Sequence, residues 1–274
     1  MNQASNNPEI SSFLRKFTFV EAAVLVVVGF GLFFLPQYVR PLWAWEIAPF
    51  NARFLGGIYL SAMVPVALMH VSGRWSPTRL VLPAIFTFTF VVLVASIYHI
   101  DRFNVAKWQV WIWFALYVTL PASAAYHLWL YRKWPRDHLE ATSGKLRVSL
   151  QVSAVLFGVY GVGLIAAPDF FSGLFPWRLD HFHSQLYSAV FLTGFVMMLT
   201  VAKRATRAEL MAAGVMEIVF GVSSILGLVI VDREVHNIDW SATNTIVWLA
   251  FLVVITAVGV AMAFANPVVT NREH

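Results

Sequence analysis

Residues 17–35 read FTFVEAAVLVVVGFGLFFL and stop at Pro36. A bilayer core about 30 Å thick takes roughly 20 consecutive apolar residues of helix. This stretch supplies them, with a single acid, Glu21, inside it. Arg15 and Lys16 just before it could imitate the charged start of a signal peptide. The run is too long for one and lacks a clear small-residue cleavage site, so it reads as an uncleaved first span. Working outward, seven further runs of that length are bounded by charges, Pro or Gly, at 51–71, 80–100, 108–130, 150–167, 182–202, 210–231 and 243–265. The expected fold is therefore all-α: a polytopic membrane protein with eight transmembrane helices. The start of the chain, 1–12, carries no fold signal of its own.

The composition agrees. Of 274 residues 59% are hydrophobic and 12% charged, and the mean hydropathy is +0.71, against about 25% charged residues in a soluble domain. That balance excludes a disordered chain and a nucleic-acid-binding domain in spite of the net charge of +5. The basic excess is better explained by topology. Of the 19 Lys and Arg, 13 fall in the N-tail, the C-tail and alternate loops, with Arg132, Lys133, Arg136, Lys145 and Arg147 clustered between spans 4 and 5. Positive loops stay in the cytoplasm, so both termini are expected there, and the cluster could also touch anionic lipid headgroups. The opposite loops carry Trp43, Trp45, Trp108, Trp111, Trp177 and Trp240, an interfacial aromatic belt. Zero cysteines exclude disulfides, thiolate metal sites, iron–sulfur clusters and thiol nucleophiles. No Gly-rich phosphate loop, His-Glu-x-x-His pair or nucleophile elbow appears, which removes hydrolases and nucleotide-driven pumps. The absence of an Asn-x-Ser/Thr acceptor suits a prokaryotic inner membrane, and no cofactor is expected.

The chain also repeats itself. At an offset of 132, Gly29, Gly31, Leu32, Pro36, Leu42, Trp45, Phe50, Leu60 and Val64 fall on Gly161, Gly163, Leu164, Pro168, Leu174, Trp177, Phe182, Leu192 and Val196. Apolar composition alone would not align Pro, Trp and paired Gly. Asp101-Arg102 recurs as Asp232-Arg233 at offset 131, and Trp113 as Trp248 at offset 135. The reading is a tandem duplication: an N-tail at 1–16, a four-helix unit at 17–131, a basic linker at 132–148, a second unit at 149–265 and a C-tail at 266–274. Four being even, both units insert in parallel. The paired glycines are expected to let helices approach closely, as small residues do in lipid. Within each unit an apolar helix with small residues runs from Gly31 to a stop at Pro36. An aromatic connector at Trp43 to Trp45 follows, and Arg53-Phe54-Leu55-Gly56-Gly57 opens the next helix. This pattern resembles the small four-helix bacterial membrane proteins of the DoxX-like and related families, here duplicated. The resemblance implies the fold; no residue set carries over the thiosulfate:quinone oxidoreductase activity for which DoxX is named.

Ionisable groups at membrane depth are the functional suspects, because an unpaired charge near the bilayer centre costs at least about 2.5–3.5 kcal/mol. Glu217 is the foremost, as a proton or cation site or else as a hydrogen-bonded core glutamate. Glu21 is expected one turn into its helix, shallow enough to reach the headgroups. On the outer face Arg53, Asp101, Arg102, Asp232 and Arg233, with Glu46, Asp180, His181 and His183, could line a polar vestibule or simply cap helix ends. The His181-Phe182-His183 spacing is too sparse a ligand set to expect a metal. His70 and His127, near the cytoplasmic ends of spans 2 and 4, are the one pair that could hold haem or a quinone. Two readings follow. The first is a non-catalytic scaffold, assembly factor or accessory subunit, embedded in membrane lipid with other subunits as partners. Its alternative is a small transporter or carrier of a lipophilic ligand, with Glu217 as coupling acid and Pro65, Pro83 and Pro121 opening backbone polar groups. A third is a quinone- or haem-associated redox subunit.

Overall fold

A computed structural model describes residues 7–134 and 140–265 of the chain. Eight long helices dominate: α1 (Ser12–Phe34), α3 (Pro49–Ser72), α4 (Trp75–Tyr98), α5 (Trp108–Tyr131), α6 (Gly144–Ala166), α8 (His181–Lys203), α9 (Arg207–Val235) and α10 (Thr243–Phe264). Two four-residue helices, α2 (Pro36–Val39) and α7 (Pro168–Phe171), turn the chain after α1 and α6. Seven of the eight long helices are long and apolar enough to cross a membrane. The other, α5, matches them in length but carries four tryptophans and three tyrosines, whose polar tips lower its hydropathy.

Local chemistry sets the boundaries. Proline stands at the first position of α2, α3 and α7, where its missing N–H costs nothing and its fixed φ suits a helix start. Ser11 and Asp180 accept backbone N–H groups at the starts of α1 and α8. Thr206 and Glu209 form a reciprocal capping box on α9, and α3 ends at Gly73 with φ +59°. α1, α4, α6 and α9 start three to six residues earlier than apolarity alone suggests, because a polar first turn still satisfies helical hydrogen bonds outside the lipid. The tail before α1 is likewise not featureless: Ile10 N–H donates to the Gly73 carbonyl and Trp75 N–H to Pro8, which seats the tail on the α3–α4 turn. The basic linker is shorter than its expected 132–148, since α6 starts at Gly144 and a two-residue strand β1 (Glu140–Ala141) pairs antiparallel with β2 (Arg204–Ala205). Arg136 and the C-tail at 266–274 lie outside the described residues.

The long helices alternate in direction, giving a basic face where α1, α4, α6 and α9 begin and a tryptophan-rich face where they end. Element bounds recur at an offset of 132: Ser12–Phe34 with Gly144–Ala166, Pro36–Val39 with Pro168–Phe171, and Arg40–Leu42 with Ser172–Leu174 as 3-10 turns. Packing crosses between the halves. The broadest interfaces are α1 on α3, α6 on α8, α9 on α10, α3 on α9 and α4 on α8, whereas α3 on α4 and α8 on α9 touch thinly. Glycine permits the closest approaches. A Cβ on Gly29 would stand 3.0 Å from the Leu60 backbone nitrogen, and one on Gly161 would stand 3.1 Å from that of Leu192, 132 residues on in both partners. A Cβ on Gly56 would come within 2.7 Å of the Phe33 backbone nitrogen.

One buried ion pair joins the halves at the basic face. Glu209, 0% exposed as a side chain, receives Arg79 Nη2 at 2.7 Å and Nε at 3.0 Å, and beside it the Ser76 and Thr206 hydroxyls are 2.8 Å apart.

Candidate ligand-binding cavity

At the centre of the molecule α1, α3, α4, α5, α8 and α9 enclose a cavity of about 370 Å³, within the range of small-molecule sites. Its walls are chiefly Leu, Val, Ile, Ala, Met and Phe. The lining residues from α3, α4, α8 and α9 are buried or half-buried, while Val20, Leu42, Trp108 and Ile112 line it and are about half exposed or more. The mouth therefore lies on the flank, between α1 and α5. Those two helices meet near the basic face, where the Ser11 N–H donates to the Tyr131 hydroxyl and Phe13 stacks on His127. No extensive packing joins them along the rest of their length.

Both intramembrane acids line this cavity. Glu217 is where the sequence reading expects a deep acid, 3% exposed. Glu21 lies further along its helix than the one turn that the sequence predicts. Because α1 starts at Ser12 instead of Phe17, Glu21 sits about 13 Å along the helix at 1.5 Å per residue, close to the roughly 15 Å of Glu217 from the start of α9. Both helices start from the same face, so the two acids lie at similar depth. Neither has a hydrogen bond or ion pair among the described residues. Beside them the Tyr59 and Tyr117 hydroxyls are 3.0 Å apart, and Glu21 is within electrostatic reach of Tyr117. Trp113 packs on Tyr117 with ring centroids 4.2 Å apart, and Trp43 on Trp113 at 5.9 Å. Two lining groups, the Trp43 indole N–H and the Thr193 hydroxyl, are more than nine-tenths buried and have no partner among the described residues. Pro65 and Pro121 remove the N–H groups that would bind the carbonyls of Ser61 and Tyr117, both lining residues.

Among the described residues the second half shows no comparable cavity. Ser153 stands 132 residues after Glu21, and Phe157, Phe191 and Leu252 stand where the first half has Leu25, Tyr59 and Tyr117. Phe157, Phe191, Trp248 and Phe251 pack together there, leaving a crevice between Ser153 and Glu217 too narrow for a water molecule.

The outer polar residues converge only in part, at Arg102, Asp180 and His183. Among the described residues no hydrogen bond or ion pair joins any two of Arg53, Asp101, Arg102, Asp232 and Arg233. Arg53 reaches Glu234 at 3.4 Å, and Arg102 reaches Asp180 at 3.7 Å. Asp232 folds the turn after α9 by accepting the N–H groups of Asn237 and Ile238 and the Trp240 indole. Glu46, Asp101 and Arg233 are exposed. His181 turns to Asp169 at 2.6 Å, away from its neighbour in sequence. His183 is held between Asp180 at 2.7 Å and the Trp45 indole at 3.1 Å. An indole only donates, so Nε2 of His183 accepts and its Nδ1 carries the proton toward Asp180. Partial burial acts to raise the Asp180 carboxyl, but the His183 ring and backbone N–H and nearby Arg102 overcome it and hold it at about 2. At the matching place in the other half, the Trp177 indole donates to Asn51 Oδ1 at 2.8 Å.

The histidines meant for a cofactor occupy separate surroundings. His70 bonds the Arg15 carbonyl and packs on Phe19. His127, 2% exposed, uses Nδ1 on the Ser123 carbonyl and lies among Phe13, Tyr126 and Tyr131. Four cavity residues went unmarked in the sequence reading: Trp43 as a lining group, Tyr59, Tyr117 and Thr193. In a chain with 15% aromatics nothing local sets such residues apart; the mismatch of Tyr59 against Phe191 at the 132-residue offset is a signal that could have. Compared with protein-family models, curated proteins and solved structures, the chain matches none.

Proposed function

We propose that this protein binds and carries a lipophilic molecule taken sideways from the bilayer. In this reading it is an eight-span protein of the inner cell membrane, built as two parallel four-helix units with both tails in the cytoplasm. The observation that carries it is the cavity mouth, an apolar chamber whose exposed lining residues all lie on α1, α5 and the turn after α2. In a membrane that flank faces lipid, so a hydrophobic ligand enters without crossing water. A scaffold or accessory subunit has no use for such a chamber, so the carrier reading is preferred. The matched element bounds support the duplication, the basic loops support the orientation, and α5 lies alongside α4 with the length of a span. The likeness to DoxX-like proteins is proposed for the fold alone.

Native mass spectrometry of the protein extracted gently from its own membrane tests the reading. Wild type is expected to hold a lipophile-sized mass that Ala62→Trp, which fills the cavity from α3, sheds. A bare wild-type mass, together with no uptake of a neutral lipophilic fluorophore, would sink the proposal. A heteromeric mass would turn it toward a subunit role.

A further inference from the structure

The carrier reading leaves open what kind of lipophile the cavity selects, and the inference that follows rests on that reading. Two carboxyl groups, Glu21 and Glu217, line one chamber at similar depth, and no Lys, Arg or His lines it with them. Of the two, Glu217 is buried and Glu21 half-buried; the other buried acids among the described residues are answered within the protein, Glu209 by Arg79 and Asp232 by three N–H donors. Glu21 and Glu217 are answered by nothing among the described residues. A buried charge left alone is costly, and proteins pair it or hydrogen-bond it.

The rest of the lining points the same way. Trp43, Tyr59, Trp113 and Tyr117 present ring surfaces around the chamber, in mutual contact at the distances given above. Aromatic walls attract cations through the ring quadrupole, by about 2 kcal/mol or more when water is excluded, and cages of such rings are how quaternary ammonium groups are held. Independently, the Trp43 N–H and the Thr193 hydroxyl are buried polar groups with no partner among the described residues. Groups of this kind are nearly always satisfied in a folded protein; the Thr193 hydroxyl can accept from an ammonium-type N–H, whereas the Trp43 N–H, a donor only, needs an acceptor on the body of the occupant.

We infer that the cavity is a site for lipophilic cations, a hydrophobic body carrying one ammonium-like positive charge that sits between Glu21 and Glu217 against the aromatic wall. A neutral lipophile fills the same volume but leaves both acids unanswered. An anion is repelled.

Equilibrium binding of tetraphenylphosphonium, the neutral triphenylphosphine and the anion tetraphenylborate to the full-length protein in detergent at low ionic strength tests this. Wild type is expected to bind the cation at least tenfold more tightly than the neutral compound, and the anion most weakly. In Glu21→Gln and in Glu217→Gln the ratio of cation to neutral affinity should fall toward one. Because the ratio is read within one preparation, a partial loss of folded protein does not imitate the effect, and the wild-type comparison needs no variant at all. A wild-type ratio near one, or a tenfold ratio kept in both variants, overturns the cation site while leaving the lipophile cavity standing. Failure of wild type to bind either the cation or the neutral compound overturns both.

Discussion

Replacing Arg79 by Met should be among the most damaging single changes outside the cavity, and its size follows from the geometry. Glu209 is fully buried and receives three donors: Arg79 Nε at 3.0 Å, Arg79 Nη2 at 2.7 Å and the Thr206 N–H at 3.0 Å. Arg79→Met removes two of them and the positive charge that Glu209 pairs with, together with the bond from Nη2 to the Arg204 carbonyl at 3.2 Å. An uncompensated buried charge costs about 3–5 kcal/mol, a shift of roughly two to three and a half decades in the unfolding equilibrium at 1.4 kcal/mol per decade. Adding Glu209→Gln removes the stranded charge and keeps an amide oxygen for the Thr206 N–H, leaving a deficit of about 1–3 kcal/mol from a buried amide without full partners. The double variant should therefore be more stable than Arg79→Met alone. Reversible unfolding in mixed dodecylmaltoside–SDS micelles, followed by helical circular dichroism, measures all three. A loss below about 1 kcal/mol for the single variant, or a double variant no better than the single, would refute the argument that the pair is a desolvated clasp between the halves.

Further changes probe other features. Gly56→Ala drives a Cβ to within 2.7 Å of the Phe33 backbone nitrogen and should cost about 1–3 kcal/mol, whereas Gly144→Ala, with nothing within 4 Å, should be neutral or stabilising by up to about 1 kcal/mol. Equal midpoints in the same micelle titration would discount the close α1–α3 approach. Trp45→Phe keeps the ring but strands Nε2 of the buried His183, at a cost of about 1–3 kcal/mol; an unchanged thermal midpoint would deny that bond its role. Asp180 has a folded-state value of about 2 against an ordinary 3.8. Its stabilisation is thus present above pH ~4 and lost as pH falls toward 2. A thermal midpoint that falls in that window in wild type should fall less in Asp180→Asn, and parallel curves would speak against the Asp180–His183 bond.

Much of the fold was written in hydropathy, because lipid forces every span to be apolar and helical. The runs at 17–35 and 150–167 locate α1 and α6, and paired glycines foreshadow the contacts Gly29 with Leu60 and Gly161 with Leu192. What hydropathy conceals is the polar first turn. Arg79 and Glu209 read as loop charges, yet both lie inside helices and answer each other. The same shift hid the depth of Glu21, since its helix begins five residues earlier than the apolar run. Glu217 was legible as an acid in an apolar stretch; that Glu21 shares its chamber was not, because α1 and α9 come together only through α3 between them. The outer residues Arg53, Asp101, Arg102, Asp232 and Arg233 looked alike in sequence and differ in space: Arg53 and Arg102 reach acids on other elements, Asp232 folds the turn after its own helix, and Asp101 and Arg233 stay exposed.

The two tryptophan bonds on the far face impose an order on assembly. Trp45 finds its acceptor 138 residues downstream, and Asn51 waits for a donor 126 residues downstream. When α1 to α5 have left the ribosome, that face still holds an open indole N–H and an open amide oxygen, and nothing yet made can close them. Sealing is therefore a single late event, triggered when the connector bearing Trp177 and the start of α8 arrive together. Until then the far side of the first half stays unlatched, and that state lasts at least as long as it takes to make the chain from the end of α5 to His183.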